Sequence, residues 1–256
     1  MSESRGWGTG PGAADLPAGE IHVWLARLTG RDGEPLPMVP VLSPDECQRA
    51  GRFVFERDRR QFAASHTFLR RLIGGYLAID PSDVAFAYSR FGKPAVAGGP
   101  EGFSFNLSHS GEAAVVAVSR AGEVGVDIEA IRPLDDRDDL ATRFFSSGEV
   151  RRLLAMPSSL RSEAFFNCWT RKEAFIKAIG EGLSYALNSF EVTLAPSDPV
   201  RLIHVGGDAG EAERWTLAAL PAEPGYAGAL AVRGVPDAIR YRVWPGARSR
   251  RDEIMP

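Results

Sequence analysis

The sequence predicts an α+β fold made of two α+β halves of similar make-up. Hydrophobic residues switch between a period of two and a helical period in the order strand, helices, strands, then helices, strands. Gly, Pro and Ser clusters punctuate the switches. The second helical block begins just past the apolar run 124–129, so the halves meet near residues 129–133. No internal sequence repeat relates them, so any symmetry would be structural only.

Residues 1–19 are rich in Gly, Ser, Ala and Pro without periodicity, and are expected to form a disordered lead-in. The first half spans 20–129. Residues 21–28 alternate as a strand, and the Pro-broken stretch 33–40 reads as a loop. Ser43-Pro44-Asp45-Glu46 is a helix start with Ser43 as cap and Pro44 in the first turn. Apolar residues recur at helical spacing over 48–77, with a bend at Gly51. Short β runs follow at 84–88, 103–107, 113–119 and 124–129, separated by turns such as Gly98-Gly99-Pro100 and Ser110-Gly111. The second half, 130–245, opens with a helical block over 135–179, broken near Ser146 and Pro157, and ends strand-like over 190–244. The tail 246–256 is polar and expected to fray.

At 256 residues, 44% hydrophobic and 25% charged, the chain has the make-up of an ordinary soluble globular protein. A net charge of −3 does not suggest nucleic acid. Cys47 and Cys168 stand far apart, which argues against a zinc site or a disulfide scaffold. With no signal-peptide pattern and no apolar run of membrane-spanning length, the expected home is the cytoplasm, away from any membrane.

Two segments carry the chemistry. In Gly125-Val126-Asp127-Ile128-Glu129, strand alternation puts Asp127 and Glu129 on one face and Val126 and Ile128 on the other. Paired carboxylates repel, and a hard divalent cation such as Mg²⁺ resolves that while leaving sites open for phosphate. Trp169-Thr170-Arg171-Lys172-Glu173-Ala174-Phe175-Ile176-Lys177 reads as a helix with Trp169, Glu173 and Lys177 along one line. A third carboxylate flanked by two lysines suits a metal-bound pyrophosphate. On these residues alone, a solvated strand face and an i, i+4 surface pair worth about 0.2–0.5 kcal/mol stay open as readings. Glu149, three residues after Ser146, fits a capping box, and Cys168 a small buried residue.

The ordered motifs Phe105-Asn106-Leu107-Ser108-His109-Ser110, Gly125 to Glu129, Phe144-Phe145-Ser146-Ser147-Gly148-Glu149 and Trp169 to Lys177 resemble those of the 4′-phosphopantetheinyl transferases, most closely the surfactin-synthetase-activating type. Gly92-Lys93-Pro94 and Gly180-Glu181-Gly182-Leu183 match as well. The resemblance implies a pseudo-twofold monomer of two α+β halves with the active site in the cleft between them. It implies transfer of the 4′-phosphopantetheine arm of coenzyme A to a serine of an acyl or peptidyl carrier protein of lipid, polyketide or nonribosomal peptide synthesis, releasing 3′,5′-ADP. It places Mg²⁺ on Asp127, Glu129 and Glu173, with Mn²⁺ an alternative for the same oxygen ligands. Glu173 is implied as ligand, base or both, with Lys177 as its catalytic companion. Lys172 and Lys177 would contact the pyrophosphate. Lys93, Ser108 and His109 would lie along the CoA nucleotide, and Arg49, Arg57 and Arg60 would bind its 3′-phosphate. Glu46 departs from the family pattern, where a lysine follows the Ser-Pro; a carboxylate there would repel the 3′-phosphate. The expected carrier-docking region is the cleft edge near 144–150. The same groups would also serve a CoA-directed phosphohydrolase, and a non-catalytic CoA- or carrier-binding module is the third reading.

Overall fold

The structure, a computed structural model, describes residues 16–29 and 41–244. The expected loop 33–40, the tail 246–256 and residues 1–15 of the lead-in lie outside them. Residues 16–19 correct the lead-in: Leu16 is buried in the first core.

Four layers stack as helix, sheet, sheet, helix. The first sheet orders its strands β11(Ala238–Val243), β1(Glu20–Arg27), β5(Ala113–Ser119) and β4(Ser104–Ser110). The second orders β6(Val124–Ala130), β10(Tyr226–Arg233) and β9(Trp215–Ala219). The sheets therefore divide the chain differently from the sequence boundary at 129/130. β6 pairs antiparallel with β10 in the second sheet, and β11 returns to pair parallel with β1 in the first. Pairings this distant in sequence leave no local signal.

Alternation along the strands builds the layers. Ile21, Val23, Val115 and Ala117 of the first sheet meet Val126, Ile128, Leu230 and Val232 of the second. The far face of the first sheet, with Trp24, Phe105, Val116 and Val118, packs on α2(Glu56–Leu77). The far face of the second, with Ala227, Ala229 and Ala231, packs on α5(Ser158–Ile179). Each of these helices runs 22 residues. α1(Pro44–Ala50) precedes α2, and the single helical run expected over 48–77 is interrupted between Gly51 and Phe55. α3(Arg137–Phe144) and α4(Ser147–Ala155) precede α5, with the breaks at Ser146 and Pro157 where the sequence puts them. Short pairs β2(Phe86–Tyr88)–β3(Pro94–Val96) and β7(Phe190–Val192)–β8(Leu202–Val205), with the turn α6(Ala209–Ala212), fill the connections. No helix among the described residues is long and apolar enough to cross a membrane.

The sheets join where β4 and β6 run side by side, linked by side chains. Asn106, Ser108 and Ser110 share one face of β4. Asn106 Oδ1 accepts the Val126 N–H at 2.9 Å, Ser108 Oγ the Ile128 N–H at 3.4 Å, and Ser110 Oγ the Ala130 N–H at 3.1 Å.

Gly125 lets α5 lie directly on β6. A Cβ there would stand 2.1 Å from Ala174 O and 2.3 Å from Ala178 N, both backbone atoms that cannot yield without moving the helix. Gly125→Ala should cost about 1–3 kcal/mol through overpacking, read as a Tm several degrees lower in thermal unfolding. The displaced helix carries Glu173 and Lys177.

Candidate active site

The faces of β6 separate as the sequence predicts. Val126 and Ile128 go into the inter-sheet core, while Gly125, Asp127 and Glu129 face α5. Glu173 and Lys177, one helical turn apart on α5, meet them there. Lys177 Nζ lies 2.7 Å from Asp127 Oδ1, 3.1 Å from Ser108 Oγ and 3.3 Å from Val126 O. Ser108 donates its proton to Asp127 Oδ1 at 2.8 Å, and Ser110 donates to Glu129 Oε2 at 2.7 Å.

Asp127 is 3% exposed, and its Oδ2 is buried with no hydrogen-bond partner. Burial, then the Asp127 charge, pushes the Glu173 carboxyl above its ordinary value of 4.5, against the pull of Lys177. Burial also raises Glu129; its bond from Ser110 opposes the rise and the Asp127 charge adds to it. So the three carboxylates act on one another as one charge cluster. Among the described residues no three carboxylate, imidazole or thiolate groups are already gathered as a metal cage. Lys177 holds Asp127 Oδ1, and Asp127 Oδ2 is left available. This all-oxygen donor set with an unsatisfied buried oxygen fits a hard divalent cation.

A hollow of about 280 Å³ opens beside the cluster, lined by Lys93, Asn106, Glu173, Lys177, Gly180 and Gly182. Lys93 Nζ bonds Ala178 O at 2.8 Å, a carbonyl at the end of α5, and pairs with Glu123. Gly180 ends α5 with φ +79°, where a Cβ would meet the Lys93 side chain at 2.9 Å.

His109 lies on the opposite face of β4 from Ser108, toward α2. Burial, then the charges of His66 and Lys177, holds its imidazole down at about 4. His66 stacks on Phe62, with ring centroids 4.0 Å apart, and the Arg49 guanidinium sits 5.3 Å from the Phe62 centroid. Arg57 and Arg60 line a separate hollow of about 320 Å³ with Gln61 and Gly111, and Arg60 bonds Glu56 at 2.8 Å. The structure thus brings together Asp127, Glu129, Glu173, Lys177 and Ser108, and spreads the arginines around α1 and α2.

Lys172 is corrected: it does not reach the site. Its side chain is 0% exposed, and its Nζ is held by Leu187 O at 2.8 Å, Phe190 O at 2.7 Å and Glu149 Oε2 at 2.8 Å. An ammonium has three protons, and these partners use them all. Glu149 closes the capping box at Ser146 and also accepts the Val192 N–H, as a structural residue. Cys168, fully buried beside it, has its thiol pushed well above the ordinary range, first by burial and then by the Glu149 charge. Glu46 is likewise structural. It caps α1 and binds His66 at 2.8 Å and Arg70 at 2.5 Å. Burial opposes its charge, but the hydrogen bonds from His66, Ser43 and Arg70 outweigh that and hold the carboxyl at about 2. Its carboxylate is buried and paired with Arg70 and His66.

The sequence reading missed Asn106, Ser110 and Gly125. The signal was present as small hydrogen-bonding residues at i, i+2 and i+4 of a strand, and as the glycine that opens the acidic one.

A buried pair broken on one side costs about 3–5 kcal/mol, whereas an apolar replacement of both partners is often neutral. Lys172→Met should lower the unfolding free energy by about that amount, and Glu149→Gln in the same chain should recover part of it, because it removes the unpaired charge while Oε1 still accepts the Val192 N–H. Chemical denaturation measures both; a loss below about 1 kcal/mol for the single variant would contradict the buried assignment.

Comparison with known proteins agrees with the geometry. Residues 33–121 match the description "4′-phosphopantetheinyl transferase, N-terminal", and residues 123–231 match the 4′-phosphopantetheinyl transferase superfamily. The chain is 36% identical over 230 residues to the 4′-phosphopantetheinyl transferase HetI of Nostoc sp., covering 89% of this chain and 94% of that one. It is 40% identical over 156 residues to the transferase psf-1 of Bacillus pumilus, covering 61% and 65%. Over 153 residues it is 34% identical to the transferase Sfp of Bacillus subtilis, covering 60% and 66%. With its two halves matched in order and one relative similar along nearly its whole length, the chain belongs to the 4′-phosphopantetheinyl transferase family.

Proposed function

We propose that the chain transfers the 4′-phosphopantetheine arm of coenzyme A to a serine hydroxyl of an apo acyl or peptidyl carrier protein, releasing 3′,5′-ADP. One observation carries the reading: the unpartnered, buried Oδ2 of Asp127, set among two further carboxylates and a lysine at the joint of the halves. Asp127, Glu129 and Glu173 would hold Mg²⁺ or Mn²⁺, which supplies charge neutralisation and a template for the pyrophosphate when bound.

The remaining work falls to the chain's own groups. Lys177 rests on Asp127 at 2.7 Å with its side chain 27% exposed, so it can turn to the pyrophosphate and stabilise charge that develops there. Glu173 takes the proton of the acceptor serine, whose oxygen bonds to the β-phosphorus. The bond from that phosphorus to the bridging oxygen breaks, and its electron pair leaves with 3′,5′-ADP. His109, neutral at pH 7, would donate to a phosphate along the nucleotide with Lys93, Arg49, Arg57 and Arg60, whereas the Ser108 proton is committed to Asp127. The chain is proposed to act as a monomer.

Intact-mass spectrometry of an apo carrier protein incubated with the enzyme, CoA and Mg²⁺ tests the reading, with EDTA as control. A mass gain of one phosphopantetheine arm, lost in EDTA, is expected. CoA consumption without that gain would point instead to hydrolysis.

Glu173→Gln separates chemistry from stability. Transfer should fall about 10²–10⁴-fold, the usual worth of a general base. A carboxyl with a raised folded-state pKa contributes stability below its unfolded pKa and loses it as pH rises through the folded one. Above its folded-state pKa the ionised Glu173 is therefore a cost to the metal-free fold. The variant should melt higher without metal, by about 2–4 °C for each kcal/mol relieved.

A further inference from the structure

We infer that Ser110 is a positioning residue that aims the Glu129 carboxylate into the site. The inference rests on the cation reading above and deepens it.

Ser110 Oγ accepts the Ala130 N–H at 3.1 Å, so its single proton is free to go elsewhere, and it goes to Glu129 Oε2 at 2.7 Å. A hydroxyl has one proton and two acceptor positions. The backbone of β6 thus fixes the oxygen, and the oxygen fixes the carboxylate on the neighbouring residue.

The platform behind Ser110 is held from several sides. It is the last residue of β4, at the tight turn into β5, where Gly111 has φ +57°. Gln61 of α2 donates to Gly111 O at 2.6 Å, and Leu28 donates to Glu112 O at 2.7 Å. The Glu112 N–H donates to Tyr226 Oη at 3.2 Å, and Tyr226 is the β10 partner of Ala130. Ser110, Ala130, Tyr226 and Glu112 therefore close a ring of contacts between the two sheets. Without the hydroxyl, Glu129 is held only by charge, between Lys177 on the site side and Arg132, 3.8 Å away and 58% exposed at its side chain, which would draw the carboxylate toward solvent.

The test compares Ser110→Ala, Ser110→Thr and Ser110→Val, with Glu129→Ala as reference. The readouts are Mn²⁺ affinity, from the electron paramagnetic resonance signal of free Mn²⁺ with CoA present, and the Mg²⁺ dependence of transfer. Residues that orient metal ligands are worth about 10–100-fold in affinity. Ser110→Ala should weaken Mn²⁺ binding by about 10-fold and raise the half-saturating Mg²⁺ equally, with kcat at saturating Mg²⁺ near native. Ser110→Thr should restore both and Ser110→Val should not. The Thr and Val variants share a shape, so that contrast holds even if Ser110→Ala folds poorly. Native Mn²⁺ affinity in folded Ser110→Val, with affinity lost in Glu129→Ala, would overturn the positioning role alone. Native affinity in Glu129→Ala as well would overturn the cation assignment and this inference with it.

Discussion

The seam between β4 and β6 is the interaction on which the rest depends. Two sheet edges meet there, and main-chain N–H groups of β6 that face β4 need acceptors. Leaving a buried N–H unpaired costs about 1–3 kcal/mol. Asn106, Ser108 and Ser110 supply the acceptors with side-chain oxygens. The two serines then have one proton each to place, and both protons end on carboxylates of β6, Asp127 and Glu129. The bonds that close the fold are therefore also the bonds that orient the acidic face. Gly125 completes the arrangement from the other side, since only a residue without Cβ lets α5 approach until Lys177 reaches Asp127.

A second regularity shows how the two halves are related. Ser43 and Glu46 form a capping box at the start of α1, and Ser146 and Glu149 form one at the start of α4. In each half the capping glutamate is buried and paired with a cation of the long helix, Arg70 in α2 and Lys172 in α5. Each cation is the fifteenth residue of its 22-residue helix. Each also bonds carbonyls of the chain that follows that helix: Pro81 and Val84 for Arg70, Leu187 and Phe190 for Lys172. The same buried device pins the same elements twice, with different side chains carrying the positive charge. This is a structural repeat without a sequence repeat. It also explains why Glu46 stands where a ligand-binding lysine is expected: the position is used for the core.

Much of this was legible in the sequence because it is local. Strand alternation put Asp127 and Glu129 together, helical spacing put Glu173 and Lys177 on one face, and capping chemistry marked Ser43 and Ser146. What escaped is non-local. Lys172 and Lys177 lie five residues apart on one helix, and which of them is buried depends on Glu149 and on two carbonyls that arrive later in the chain. The pairing of β6 with β10 and of β11 with β1 joins residues about a hundred or more positions apart, beyond the reach of any periodicity. The role of Ser110 needed the β4–β6 register, which only the assembled sheets define.

The buried carboxylates, compared with one another, support the proposed site on physical grounds. Glu46 uses both oxygens, Oε1 on His66 and Oε2 on Ser43 N–H and Arg70. Glu149 uses both, Oε1 on Val192 N–H and Oε2 on Ser146 N–H and Lys172. Asp127 uses only Oδ1, and its Oδ2 is the one buried carboxylate oxygen left unpartnered among the described residues. A fold that satisfies two buried glutamates fully has the means to satisfy a third carboxylate. Leaving one oxygen bare, beside two glutamates whose pKa values are driven up by burial and by that same aspartate, is a standing cost in the ligand-free protein. Such a cost persists where a bound ligand offsets it. The exposed hollow beside Glu173 and Lys177 gives that ligand a way in, whereas the Glu149–Lys172 pair has none and serves stability alone.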